Sequence, residues 1–201
     1  MRTQDGFYFS PQNTFMSLHF DNKKGLINAF YSRIEGFYIK PAIKLDGTFE
    51  AFASGALCVC AIDILARLEY GDNTGVGDRF KKWVRAYLKS DFNDFGNEVK
   101  QYHQHVTFDD ILYECFRNGL VHEGVIKQGF QFSYETGKKL FYVESEIVVI
   151  NPKVLLSKVY DSLNVFVKKL KDDDALFEKF SKQLHKDLKK DITDITIEEK
   201  E

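Results

Sequence analysis

Arg117, Asn118 and His122 fall within six positions of one another and are followed by Glu123 and Gly124. A guanidinium, an amide and an imidazole so placed suit the cutting of a phosphodiester without a metal. Arginine keeps its charge and presents a planar fork that matches phosphate oxygens. Histidine exchanges a proton near neutral pH, so it can serve as general acid or base. The first group would meet charge building on a phosphoryl centre, and the second would move the proton. Spacing alone carries little weight, because chance readily supplies an arginine followed by a histidine in a chain with five histidines. The weight comes from the surroundings: Asn118 directly after the arginine, Gly119 next, and apolar Leu120 and Val121 between.

These residues end a segment with helical patterning. Thr107 starts it, and Asp110 three positions later gives the spacing of a capping box. Phe108, Ile111, Leu112, Cys115 and Phe116 form one apolar stripe, which Gly124 and Gly129 interrupt. Upstream, Leu26 to Ile39 repeats apolar residues at helical spacing, and Pro41 should stop or kink it. From Phe49 to Tyr70 apolar residues wrap most of the circumference, which predicts a central, buried helix. Gly71, Gly75 and Gly77 read as a loop before a third helix, Asp78 to about Lys89. That helix has Phe80, Trp83, Val84, Tyr87 and Leu88 inside and Arg79, Lys82, Arg85 and Lys89 as a basic stripe opposite.

After the motif the period changes. Phe130, Phe132 and Tyr134 alternate, and Leu140 to Val143 and Ile147 to Ile150 are β-type runs. Gly137 with Lys138 suits a turn between the first two, which predicts an antiparallel hairpin or three-stranded sheet. Pro152 opens a last helical region in which Leu163, Leu170, Phe177 and Leu184 lie seven apart. This predicts one long helix or two collinear ones, with Asp172 to Asp174 as the break. Residues 1–21 show no clean period.

Composition frames these elements. With 44% hydrophobic and 29% charged residues, the 201-residue chain can bury a sizeable core and is not a disordered one. A net charge of −2 excludes a polycation, so nucleic-acid contact would need a local patch. The three cysteines, Cys58, Cys60 and Cys115, sit in apolar sequence and read as reduced, buried thiols. The stretch Ala51 to Leu68 carries Asp63 and Arg67, which argues against a membrane span. With Asp5, Gln12 and Asn13 the N-terminus does not read as a signal peptide. A cytoplasmic protein is expected.

Other candidates are less specific. Arg79, Lys82 and Arg85 could track an RNA backbone, or simply face solvent. His103 and His105 alternate, but no Cys or carboxylate set at ligand spacing accompanies them. No metal and no cofactor is expected. Cys58 and Cys60 diverge around one helix. The glycines from 71 to 77 lack the Gly-Lys-Ser/Thr ending of a phosphate loop.

The octet Arg117 to Gly124 resembles the Arg-Asn-x-x-x-His signature of the HEPN family, whose active members are mostly RNA-cutting enzymes. The buried helix Phe49–Tyr70 and the helix order leading to the motif also resemble that family over residues 25 to 170. The resemblance implies a metal-independent endoribonuclease in which the RNA 2′-OH attacks the adjacent phosphate. His122 would be general base or acid, Arg117 would hold the phosphoryl charge, and Asn118 would orient a phosphate oxygen or the histidine. Glu123 could pair with either basic group. The resemblance further implies a homodimer with a shared cleft, RNA as substrate, and a toxin or phage-defence role with an antitoxin or other regulatory protein as partner. A non-catalytic module that binds RNA, a nucleotide or a protein is the second reading, and a dimeric scaffold the third.

Geometry then sets a demand. In an unbroken α-helix residues five apart lie about 140° apart around the axis. His122 would face inward with Ile111 and Cys115 while Arg117 faced away. Either the helix loosens near Gly119, or each protomer contributes part of the site, or His122 is a core histidine and Arg117 a surface or ion-pair residue. The expected architecture is mainly α: a HEPN-like helical bundle with a small antiparallel β insertion after the motif helix. One domain spans residues 1–201, with a helical core about 25–124, β structure about 130–150, a long helix about 152–190 and a frayed acidic tail, 191–201.

Overall fold

The computed structural model describes residues 8–45, 48–88, 107–134, 137 and 139–198. The fold is mainly helical with two small sheets. A short antiparallel pair, β1 (Tyr8–Ser10) and β2 (Asn13–Thr14), occupies part of the segment in which the sequence shows no period. Helix α1 (Lys23–Ile34) begins where the Asn22 side chain accepts a bond from the Gly25 N–H at 2.9 Å. Of the stop or kink that the sequence suggests at Pro41, the stop does not occur. The helix widens to a π turn over Glu35–Ile39 and resumes as α2 (Lys40–Lys44). The missing proline N–H therefore falls at the start of a fresh α segment, where it matters least.

Helix α3 (Ala51–Tyr70) is the centre of the bundle and packs against α2, against α4 (Val76–Tyr87) and against both C-terminal helices. Cys58, Val59, Ala61, Ile62, Leu65 and Ala66 are fully enclosed. It is long and apolar enough to cross a membrane by length and composition, but protein helices are what cover it. Its apolar ring is incomplete, since Phe52 is 43% exposed. Gly55 faces the Phe132 ring so closely that a Cβ would collide with it, which fixes α3 against the sheet.

The larger sheet runs β3 (Phe130–Phe132), β5 (Ile147–Ile150), β4 (Phe141–Glu144). The three runs form a three-stranded sheet, one of the two expected forms, but the first two do not pair as a hairpin. β3 pairs parallel with β5, and the antiparallel hairpin is β4–β5. Its turn uses Ser145 and Glu146 at φ 49° and 71°, the left-handed pair of a tight hairpin. The physical reason lies in β5: the uninterrupted Ile-Val-Val-Ile suits a strand paired on both edges and buried, and Val148, Val149 and Ile150 are enclosed.

Asn151 caps α6 (Pro152–Asp172) through bonds from the Lys153 and Val154 N–H groups. The chain breaks at Asp173 and continues as α7 (Asp174–Glu198), so helix persists beyond the expected fraying point. The two helices are not collinear. Phe166 and Phe180 would stand about 21 Å apart along one straight helix, yet their ring centroids are 6.2 Å apart and both meet Phe30. Leu163, Leu170, Phe177 and Leu184 thus face the core from two helices that fold back on each other. Arg67 on α3 grips Asp187 on α7 with two bonds of 2.7 and 2.6 Å.

Candidate functional site

The motif segment begins as α5 (Phe108–Ile111) after Thr107. The expected capping box forms in half, with the Asp110 carboxylate accepting the Thr107 backbone N–H. The Thr107 hydroxyl donates to the Asp110 carboxylate at 2.7 Å instead of accepting a backbone N–H. The helix then widens to π geometry twice, over Leu112–Arg117 and Gly119–Glu123. The Asn118 N–H bonds the Tyr113 carbonyl and the Gly124 N–H bonds the Gly119 carbonyl, each five residues back. A π turn stacks residues i and i+5 that an α-turn would splay apart. The chain then folds over Gly119: Val125 N–H also bonds the Gly119 carbonyl and Lys127 N–H bonds the Cys115 carbonyl. A Cβ on Gly119 would collide with the Val125 carbonyl oxygen, so the return needs glycine there. Gly124 closes the segment at φ 71°.

The consequence is that Arg117 and His122 meet within one chain, Nη1 to Nε2 at 3.3 Å. Of the arrangements left open by the sequence, loosening near Gly119 is the one this backbone adopts. The enclosed core histidine is not, because His122 is exposed. Arg117 Nη1 also donates to Asn118 Oδ1 at 3.1 Å, and Nη2 donates to Asp63 Oδ2 at 2.6 Å. The guanidinium lies over the Tyr113 ring, 5.6 Å from its centroid. Asn118 Nδ2 donates to Glu114 at 3.2 Å, and Lys81 links Glu114 (3.3 Å) to Asp110 (2.8 Å). Asn118 therefore braces the arginine rather than the histidine. The carboxylate that meets Arg117 is Asp63, on α3, and not Glu123.

The Arg117 side chain is only 11% exposed and Asp63 25%, so the pair is largely withdrawn from water. The pairing is single-pronged: Asp63 Oδ1 and Arg117 Nε are both buried without a hydrogen-bond partner. Burial, then Asp63, push the Cys60 thiol up against the opposing pull of Arg117. Burial pushes Cys115 up to about 11. Lys81 is raised by its bond to Asp110. Both thiols thus stay protonated near neutral pH, and neither is an activated nucleophile.

The basic stripe expected on the third helix forms in part: Lys82 and Arg85 are exposed, while Arg79 is not. Arg79 is buried on α4 with its Nη1 3.9 Å from Asp72. Arg85 binds buried Asp109 at 2.6 Å. Lys82 lies over the Tyr70 ring at 4.4 Å. Helical spacing placed these residues correctly along the sequence, but acidic partners from neighbouring segments claim two of them. Gly77 lies inside α4, where the Tyr113 ring packs, and not in the loop. Lys89, His103, His105 and Lys138 lie outside the described residues. Among the described residues no three His, Cys, Asp or Glu side chains group as metal ligands. Cys58, Cys60 and Cys115 are free thiols.

Asp63 and Glu114 are the site residues that sequence reasoning did not assign. Asp63 had a visible signal: it is the one carboxylate within the apolar stretch Ala51 to Leu68. Glu114 had none beyond its place one turn before Asn118. A family model described as Rv1289, a family of unknown function, matches residues 51–146, just under half of the chain. That stretch holds Asp63, Glu114, Arg117, Asn118 and His122. No curated protein and no solved structure matches the chain.

Proposed function

We propose that this chain is a metal-independent endoribonuclease of the HEPN type, with His122, Arg117 and Asn118 at its centre. One observation carries the reading: an exposed imidazole held 3.3 Å from a guanidinium by two wide helical turns. Single π turns inside helices are frequent at functional sites. In the reaction the RNA 2′-oxygen bonds to the neighbouring phosphorus and the bond from phosphorus to the 5′-oxygen breaks. The 2′-hydroxyl proton leaves and the 5′-oxygen gains one, giving a 2′,3′-cyclic phosphate and a 5′-hydroxyl. His122 is the group suited to proton movement. DNA lacks the nucleophile. A toxin or phage-defence role in the cytoplasm, a homodimer with a shared cleft, and restraint by an antitoxin or other regulatory protein belong to this reading. The test is RNA cutting by purified protein in EDTA. Cutting that stops with His122→Ala supports the proposal, and intact RNA sinks it.

A specific observation favours a second reading. Asp63 stands 2.6 Å from Arg117 and offsets the charge that a phosphate would seek. A non-catalytic HEPN-like module binding RNA, a nucleotide or a protein would keep the motif as a structural element. It predicts RNA binding without cutting, or neither.

A further inference from the structure

We infer that Asp63 and Arg117 hold His122 as the tautomer protonated on Nδ1, and that Arg117 is a positioning residue rather than the cation that receives the phosphate. The inference rests on the ribonuclease reading for its purpose but not for its geometry. A guanidinium can only donate hydrogen bonds. Its Nη1 sits 3.3 Å from His122 Nε2, so that nitrogen accepts and the imidazole proton lies on Nδ1. The arginine has little freedom to do otherwise. Both Nη1 hydrogens are committed, to Asn118 and His122, and Nη2 donates to Asp63. Nε is buried without a partner, and the guanidinium carbon sits over the Tyr113 ring, 5.6 Å from its centroid. A phosphate reaching this arginine would find only the second Nη2 hydrogen uncommitted, beside the Asp63 carboxylate held at 2.6 Å, in a site largely closed to water.

This arrangement assigns work to each atom. Asp63 offsets the arginine charge and fixes its direction from α3, 54 positions upstream. Asn118, braced by Glu114 and Lys81, fixes it from the motif helix. His122 then offers Nδ1–H as a hydrogen-bond donor to a phosphate oxygen, and it can hand a proton to the departing 5′-oxygen only as the imidazolium, once Nε2 is released and protonated. Its Nε2 lone pair is reserved until Arg117 lets go. An exposed histidine left to water favours the opposite tautomer, protonated on Nε2, so the claim departs from the default and can be read directly.

The experiment is long-range ¹H–¹⁵N correlation of the full-length protein at a pH where His122 is neutral, with His122→Ala identifying the His122 signals by their loss. The wild-type ring should show a pyrrole-type Nδ1 and a pyridine-type Nε2. Arg117→Leu should return it to the Nε2-protonated pattern, and Asp63→Asn should shift it part of the way. A wild-type His122 ring protonated on Nε2 overturns the inference even if neither Arg117→Leu nor Asp63→Asn folds. An Nδ1-protonated ring that persists in folded Arg117→Leu overturns it too. RNA cutting is scored separately on the same samples. A ring that switches with Arg117 while RNA stays intact upholds the positioning and removes only the ribonuclease reading.

Discussion

Arg117 Nη1 lies 3.3 Å from His122 Nε2 although the two residues are five apart on one helical segment. An α-helix would set them about 140° apart, so the contact is a product of the two wide turns that flank Asn118. The wide turns are in turn held by the strand-ward return of the chain, which lays the Val125 carbonyl against Gly119.

Gly119→Ala should therefore act on the whole site. Its Cβ meets a backbone carbonyl that no rotamer change can move aside. A loss of roughly 1–3 kcal/mol is expected from overpacking, read by urea unfolding. Gly124→Ala is the comparison: nothing lies within 4 Å of its Cβ and only the φ of 71° is strained. A Gly119→Ala protein as stable as wild type would show that the return over Gly119 is not tight.

Asp63→Ala leaves the Arg117 charge nearly enclosed with no carboxylate. Breaking a fully buried pair costs several kcal/mol, and the quarter exposure of Asp63 reduces that to roughly 2–3 kcal/mol. Unfolding of Asp63→Ala beside Asp63→Ala/Arg117→Leu checks the cause. Removing both partners should recover much of the loss. A double variant weaker than Asp63→Ala by the full cost of a second lesion would contradict the pairing.

Acid should loosen the last helix from the bundle. The Lys186 ammonium, then the Gln183 amide, hold the Asp72 carboxyl below its ordinary value. A carboxyl depressed in the folded state adds stability that is fully present above its unfolded value of about 4 and disappears as pH falls through the folded one. Wild type should lose this increment between about pH 4 and lower pH, and Asp72→Asn should lack it. Melting temperatures from neutral pH into acid measure it, and parallel curves for the two proteins would contradict it.

Much of this architecture was legible because it follows from spacing. Pro152 suits the first position of a helix, and Ala51 to Leu68 has almost no polar face to expose. What escaped depends on partners distant in sequence. Arg79 reads as a solvent residue until Asp72 and the bundle enclose it. β3 reads as half of a hairpin, since nothing local shows that it will skip β4, next in sequence, and pair with β5. The motif was partly legible: Gly119 signalled a loosened helix, but not that two π turns would bring Arg117 onto His122. Asp63 stood out as a charge in an apolar run, yet its partner lies 54 positions away.

The central claim is tested most directly by the cutting of a chemically defined RNA, with its all-DNA counterpart, by the full-length protein in EDTA. The account predicts that RNA is cut to 2′,3′-cyclic phosphate ends or their opened products and that DNA survives. It also predicts that His122→Ala lowers the rate about 10²–10⁴-fold, with an unchanged melting temperature, since His122 is exposed. Intact RNA, or His122→Ala cutting at the wild-type rate, would contradict it.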